Sequence, residues 1–126
     1  MRKCIHKETG KDYAVKIVRT RDEEMLFLLK NEFRNISQIY HNNIIKVHEM
    51  YIDKKHAMVY TIMECFEGKE LFKHISNIGH YSENKAKFLF KQLLQGIRHL
   101  HNTGVVHRDL KPNNILVSNG RVFFIY

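Results

Sequence analysis

Apolar and polar residues alternate in some stretches of this chain and recur at longer steps in others, which divides it into short strands and a few helices. Residues 2–6 and 13–19 read as two strands joined through Lys7-Glu8-Thr9-Gly10-Lys11-Asp12, where Gly10 supplies the turn. The second strand, Tyr13-Ala14-Val15-Lys16-Ile17-Val18, is apolar apart from Lys16. Over residues 22–39 the period lengthens: Met25, Leu28, Leu29, Ile36 and Ile39 recur at helical steps, and Asp22-Glu23-Glu24 suit the positive end of a helix dipole. Two further strands, 44–52 and 57–64, flank Asp53-Lys54-Lys55-His56. Their alternation (Ile45, Val47; Met58, Tyr60, Ile62) suits an antiparallel pair with one buried face. Ser82 caps a second, longer helix that carries Ala86, Leu89, Phe90, Leu93, Ile97 and Leu100 on one side and stops at Asn102-Thr103-Gly104. Last comes a hairpin, 115–117 and 122–125, about Ser118-Asn119-Gly120.

Composition narrows the picture. The chain has 126 residues, 44% of them hydrophobic, which is enough for a modest core. No apolar run approaches a membrane span, and Met1-Arg2-Lys3-Cys4-Ile5-His6 lacks the apolar core of a signal peptide, so no membrane partner and a cytoplasmic location are expected. Cys4 and Cys65 match no metal spacing, and reduced thiols are expected. A net charge of +8 invites a nucleic-acid reading. The lysines and arginines are spread along the chain, however, and not interleaved with aromatics in a compact run, which favours solvated surface over a nucleic-acid partner. The nine histidines form no ligand constellation with carboxylates or cysteines.

Candidate chemistry concentrates in His107-Arg108-Asp109-Leu110-Lys111-Pro112-Asn113-Asn114, between the long helix and the hairpin. The Asp109 carboxylate can accept a proton from a hydroxyl, the Lys111 ammonium can neutralise a phosphate, and the Asn114 amide oxygen can hold a hard cation. Two other charges sit in apolar settings. Lys16 lies inside an apolar strand, either snorkelling to the sheet edge or held there for a task. Glu32 follows Leu28 and precedes Ile36 by four residues each, on the apolar stripe of its helix. It either occupies the stripe's exposed margin or meets a cation, because an unpaired carboxylate there is costly.

The polar loop resembles the protein-kinase catalytic pattern H-R-D-L-x-x-x-N, with Lys111-Pro112 in the serine/threonine form. Tyr13-Ala14-Val15-Lys16 likewise resembles the kinase strand whose lysine grips the α- and β-phosphates of ATP. The resemblance covers essentially all of the chain and implies a partial protein-kinase fold of the α+β class. Residues 1–63 would be a small antiparallel β-sheet lobe with one helix, and 64–69 a hinge. Residues 70–126 would be the first helices and catalytic-loop hairpin of the helical lobe. The implied activity is ATP-dependent phosphorylation of serine or threonine in protein substrates, with ATP and Mg2+ as cofactors. On this resemblance Asp109 is the base, Lys111 steadies the γ-phosphate and Asn114 holds magnesium. Glu32 orients Lys16, Met63 is the gatekeeper, the backbone at Glu64 and Phe66 pairs with adenine, and Ala14 and Leu116 enclose it. The run from Glu70 to Ile75 resembles the opening helix of the helical lobe, in the form common among calcium/calmodulin-dependent kinases. There Glu70 meets the ribose or an arginine upstream of the phosphorylated residue, which implies basic protein substrates. His41-Asn42-Asn43-Ile44 resembles the link after the first helix, with Asn42 where proline is frequent, and the resemblance makes His107 a core element of the helical lobe.

The chain also departs from the family pattern. It contains no G-x-G-x-x-G, and Asn113 replaces a frequent glutamate. Counting from Gly120, the aspartate of Asp-Phe-Gly is expected at about Tyr126 or just beyond. The 126 residues are therefore expected to be part of a catalytic domain that transfers no detectable phosphate by itself, with apolar surface bared on the long helix. The residues leave open a non-catalytic, pseudokinase-like interaction module. Joint retention of Lys16, Glu32, Asp109 and Asn114 weighs against it.

Overall fold

The computed structural model describes residues 1–125. Tyr126, the first position considered for the Asp-Phe-Gly aspartate, lies outside the described residues. The chain divides into two units: Met1–Ile39 with Lys46–Phe66, and Tyr40–Ile45 with the chain from Glu67 onward.

In the first unit four antiparallel strands form one sheet: β1 (Arg2–Ile5), β2 (Asp12–Arg19), β3 (Val47–Asp53) and β4 (Met58–Glu64), in the order β1-β2-β4-β3. Val15, Val59 and Met63 are buried in it. Helix α1 (Glu23–Ile36) begins at Asp22, whose carboxylate accepts the Glu24 N–H at 2.9 Å. The apolar period runs on to Ile39, but the helix does not. Its last N–H bond is made by Ser37 to Phe33 O, and Ile39 N–H turns back to Ile36 O at 3.1 Å, burying Ile39 from a tightened turn. Met25 and Leu28 are exposed, so the inner line of α1 is narrower than its hydrophobicity suggests. Strand β3 starts at Val47 instead of residue 44, because the backbone of Ile44 and Ile45 is engaged inside the second unit.

The second unit holds β5 (Lys69–Glu70), α2 (Leu71–Ile78), α3 (Glu83–Asn102), a single 3-10 turn (Pro112–Asn114), β6 (Ile115–Ser118) and β7 (Arg121–Phe124). Its strands form an antiparallel sheet in the order β5-β6-β7, so the expected hairpin has a third, two-residue strand. Glu70 lies in that strand opposite Leu116 and immediately precedes α2, a correction to its expected place on the opening helix. The β6–β7 turn needs two left-handed residues, and Asn119 (φ 47°) and Gly120 (φ 76°) supply them. Ser82 caps α3, accepting the Lys85 N–H at 3.3 Å. Leu89, Leu93, Gly96 and Leu100 form its buried line. Phe90 falls roughly 100° round the helix from Leu89 and is 58% exposed, against expectation. Phe88 and Leu94 are exposed too, leaving apolar surface on this helix.

Gly96 lets the Phe124 ring lie directly against α3. A Cβ there would stand 2.5 Å from Cε1 of Phe124, which is 0% exposed. Phe124 is also tied along its backbone: its N–H donates to Asn43 O and its carbonyl accepts from Ile45 N–H, both at 3.1 Å. Segment Tyr40–Ile45 therefore belongs with β7 and α3. No described helix is long and apolar enough to cross a membrane.

Candidate functional site

In the first unit Lys16 sits on β2 opposite Thr61 of β4, and its Nζ donates to Oε1 of Glu32 on α1 at 3.3 Å. The two side chains keep 34% and 39% of their surface, so the pair is half-buried and reachable from solvent. Ala14 shares the Lys16 face of β2, since alternate strand residues point the same way, and it stands opposite the buried Met63. The Glu64 N–H donates to Lys46 O at 2.8 Å. Phe66 follows in irregular chain at the end of this unit.

In the second unit the polar loop folds on itself. Arg108 has φ 63°, unusual for a residue with a long side chain, and across it the Asp109 N–H returns to His107 O at 2.8 Å. His107 Nε2 donates to Ile125 O at 2.7 Å, and its ring meets the Phe124 ring edge-on at 5.5 Å. Its Nδ1 is 3.3 Å from the Asp109 N–H, so the Nε2–H tautomer satisfies both contacts. Lys111 Nζ forks across the Asp109 carboxylate, 2.9 Å from Oδ1 and 2.8 Å from Oδ2. Asn114 Nδ2 donates to both the Asp109 carbonyl and Oδ2, each at 2.8 Å. With its nitrogen committed, the Asn114 side chain has its amide oxygen as the atom that can accept. The Lys111 bond, followed by the Asn114 bond, holds the Asp109 carboxyl below the usual carboxylate range. Asp109 is thus ionised and oriented, with 63% of its side-chain surface still open.

A protein kinase domain model matches residues 1–125. The chain belongs to the protein kinase family. This kinase chain is 43% identical over 121 residues to the mouse protein "Sperm motility kinase 2B", covering 95% of the chain and 24% of that protein. It is 45% identical over 118 residues to mouse "Sperm motility kinase 1", covering 93% and 24%. It is 37% identical over 112 residues to the Arabidopsis thaliana "CBL-interacting serine/threonine-protein kinase 17", covering 86% and 26%. The chain spans about a quarter of the length of these curated relatives.

Two groups of predicted site residues are thus brought together in this kinase chain, each inside its own unit: Lys16 with Glu32, and Asp109 with Lys111 and Asn114. Glu70 accepts from Lys73 Nζ at 2.9 Å and is the strand neighbour of Leu116. Sequence reasoning missed an amide network that supports the loop. Asn43, 7% exposed, donates through Nδ2 to Val122 O at 2.8 Å and to Gln92 Oε1 at 3.1 Å. Gln92 Oε1 also accepts the Val122 N–H at 3.2 Å, and its Nε2 donates to Gly120 O at 2.8 Å. The signal was present, because Gln92 follows Leu89 by three residues on the buried line of α3.

Proposed function

We propose that, in the full-length protein, this chain supplies the phosphate-anchoring pair and the catalytic loop of a serine/threonine protein kinase acting on basic protein substrates. One observation carries the reading: Asn114 binds the Asp109 backbone and carboxylate with a single nitrogen while Lys111 clamps the same carboxylate. A carboxylate held ionised and aimed can accept the proton of a substrate hydroxyl, and Lys111 is placed to exchange part of its grip for a phosphate oxygen. The donor chemistry suits ATP and Mg2+. A lysine ammonium held by a carboxylate fits a polyphosphate, and the Asn114 amide oxygen is a hard ligand of the kind magnesium takes. Bound Mg2+ would neutralise phosphate charge. Lys16 would hold the α- and β-phosphates with Glu32 fixing its direction. Glu70 would face a basic residue of the substrate, and Leu116 would line the adenine site.

Purified full-length protein is expected to move label from γ-32P-ATP onto serine or threonine of a basic peptide, with EDTA abolishing transfer. ATP binding without transfer would overturn this reading in favour of an interaction module. The 126-residue polypeptide assayed by itself is expected to give no detectable transfer. It contains no Asp-Phe-Gly, and the neutral Asn114 oxygen alone is a weak magnesium ligand.

Lys16→Met and Glu32→Gln should separate function from folding. A pair this accessible contributes under about 1 kcal/mol to stability. Transfer should fall roughly 10–100-fold, which is about 1.4–2.7 kcal/mol of lost transition-state stabilisation. Steady-state kinetics beside a thermal melt reads both. A large drop in melting temperature with normal kinetics would make the pair structural.

A further inference from the structure

The amide network leads to two histidines that the proposed chemistry does not use. In the second unit the rings of His41 and His99 lie 5.0 Å apart, inclined by 31°. His99 is in the last turn of α3, and His41 lies near the start of the segment that carries Asn43. The Asn43 N–H donates to His41 Nδ1 at 3.1 Å, so neutral His41 keeps its own proton on Nε2. A second proton can bind only at Nδ1. It would remove the acceptor of that bond and set a positive ring against His99.

Among the described residues His41 meets the His99 ring from α3 and the Asn43 N–H from its own segment. His99 is the one titratable group whose charge bears on it among the described residues, so no carboxylate offsets the added proton. Burial, then His99, holds the His41 pKa below its ordinary value. The sign follows by linkage. A released segment binds a proton that the docked one resists, so docking is complete above pH of about 6.5 and weakens as pH falls below it.

Release of the segment reaches the loop through the backbone. Phe124 bonds Asn43 and Ile45, while Ile125 donates to Asn114 O at 3.0 Å and accepts from His107 Nε2 at 2.7 Å. We infer that His41, packed against the His99 ring, is a proton-sensitive latch: the neutral His41 ring docks segment Tyr40–Ile45 on α3 and β7, and a proton on its Nδ1 slackens the backbone support of loop 107–114. The latch stands on this geometry alone; only its effect on phosphoryl transfer rests on the function proposed above.

Amide hydrogen exchange of the full-length protein, followed by mass spectrometry in peptides spanning 41–46 and 121–125, tests it. After correction for intrinsic rates, protection in both peptides should fall up to about tenfold per pH unit below 6.5. In His41→Asn the side-chain carbonyl can still accept from the amide two residues on and takes no proton, so protection should become independent of pH. Wild-type protection that does not change between pH 7.5 and 5.5, or an equal fall in His41→Asn, would overturn the latch. Should that variant fail to fold, exchange at the imidazole Cε1 positions of the wild type decides. His41 should titrate below the ordinary histidine range, and an ordinary titration of that ring would refute the latch. Absent phosphoryl transfer at pH 7.5 with the protection pattern intact counts against the kinase reading and leaves the latch standing.

Discussion

Asp109→Asn in the full-length protein is expected to lower phosphoryl transfer about 10²–10⁴-fold, the range of a lost general base, while ATP affinity and melting temperature stay close to wild type. The substitution keeps the size and shape of the side chain and replaces a proton acceptor with an amide. Stability should change little, because the ion pair with Lys111 lies in solvent, where such pairs contribute little. The pH dependence is equally specific. Bonds from Lys111 and then Asn114 hold the Asp109 carboxyl low, so its charge persists as pH falls through the mildly acidic range. Any acid limb that Asp109 itself imposes on the rate should therefore lie below about pH 4. Lys111→Ala removes the larger of those two bonds and should move that limb upward. Single-turnover transfer across pH reads the loss of rate and the position of the limb in each protein, and ATP titration and a thermal melt read the rest. An Asp109→Asn variant that keeps more than about a tenth of wild-type turnover would dismiss the proton-accepting role.

Residues whose meaning is local are legible in the amino-acid sequence. Lys16 and Glu32 each break an apolar period with a charge, and desolvation makes such a break expensive unless the two meet. Asp109, Lys111 and Asn114 lie within one short loop, so their order along the chain already limits their geometry. Ile44 and Ile45 mislead because their side chains follow a strand period, whereas their backbone neighbour is Phe124, far along the chain. Glu70 misleads similarly: a two-residue strand exists only because β6 is there to pair with it. The left-handed backbone of Arg108 carries no glycine to announce it. Gln92 stands out by its place on the buried line of α3, but its pairing with Asn43 stays hidden, because neutral amides can satisfy one another and sequence does not say which amide will meet which.

Gly96 and Phe124 should show the largest stability effects in the molecule, and they should be coupled. Phe124→Ala empties a site that is 0% exposed and is expected to cost about 3–5 kcal/mol. Gly96→Ala places a methyl group 2.5 and 2.9 Å from ring carbons of Phe124, too close for any real contact, and should cost about 1–3 kcal/mol through overpacking. The backbone bonds of Phe124 to Asn43 and Ile45 limit how far that residue can retreat, so the strain cannot be relieved by a small shift of β7. The double variant distinguishes this packing account from a general loss of helix quality. Without the ring, a methyl at 96 enters the vacated space, and Gly96→Ala should become harmless or slightly stabilising in the Phe124→Ala background. Alanine is also the better helix former, which pushes in the same direction. Additive losses in melting temperature would mean that the two positions do not share one packing site, because independent sites add and touching ones do not. The same close packing gives protonation of His41 a route to Asn114 in the proposed latch. Where the helix and β7 lie this close, the backbone of residues 124–125 has little room to absorb displacement and passes it on through Phe124 and Ile125 to the loop.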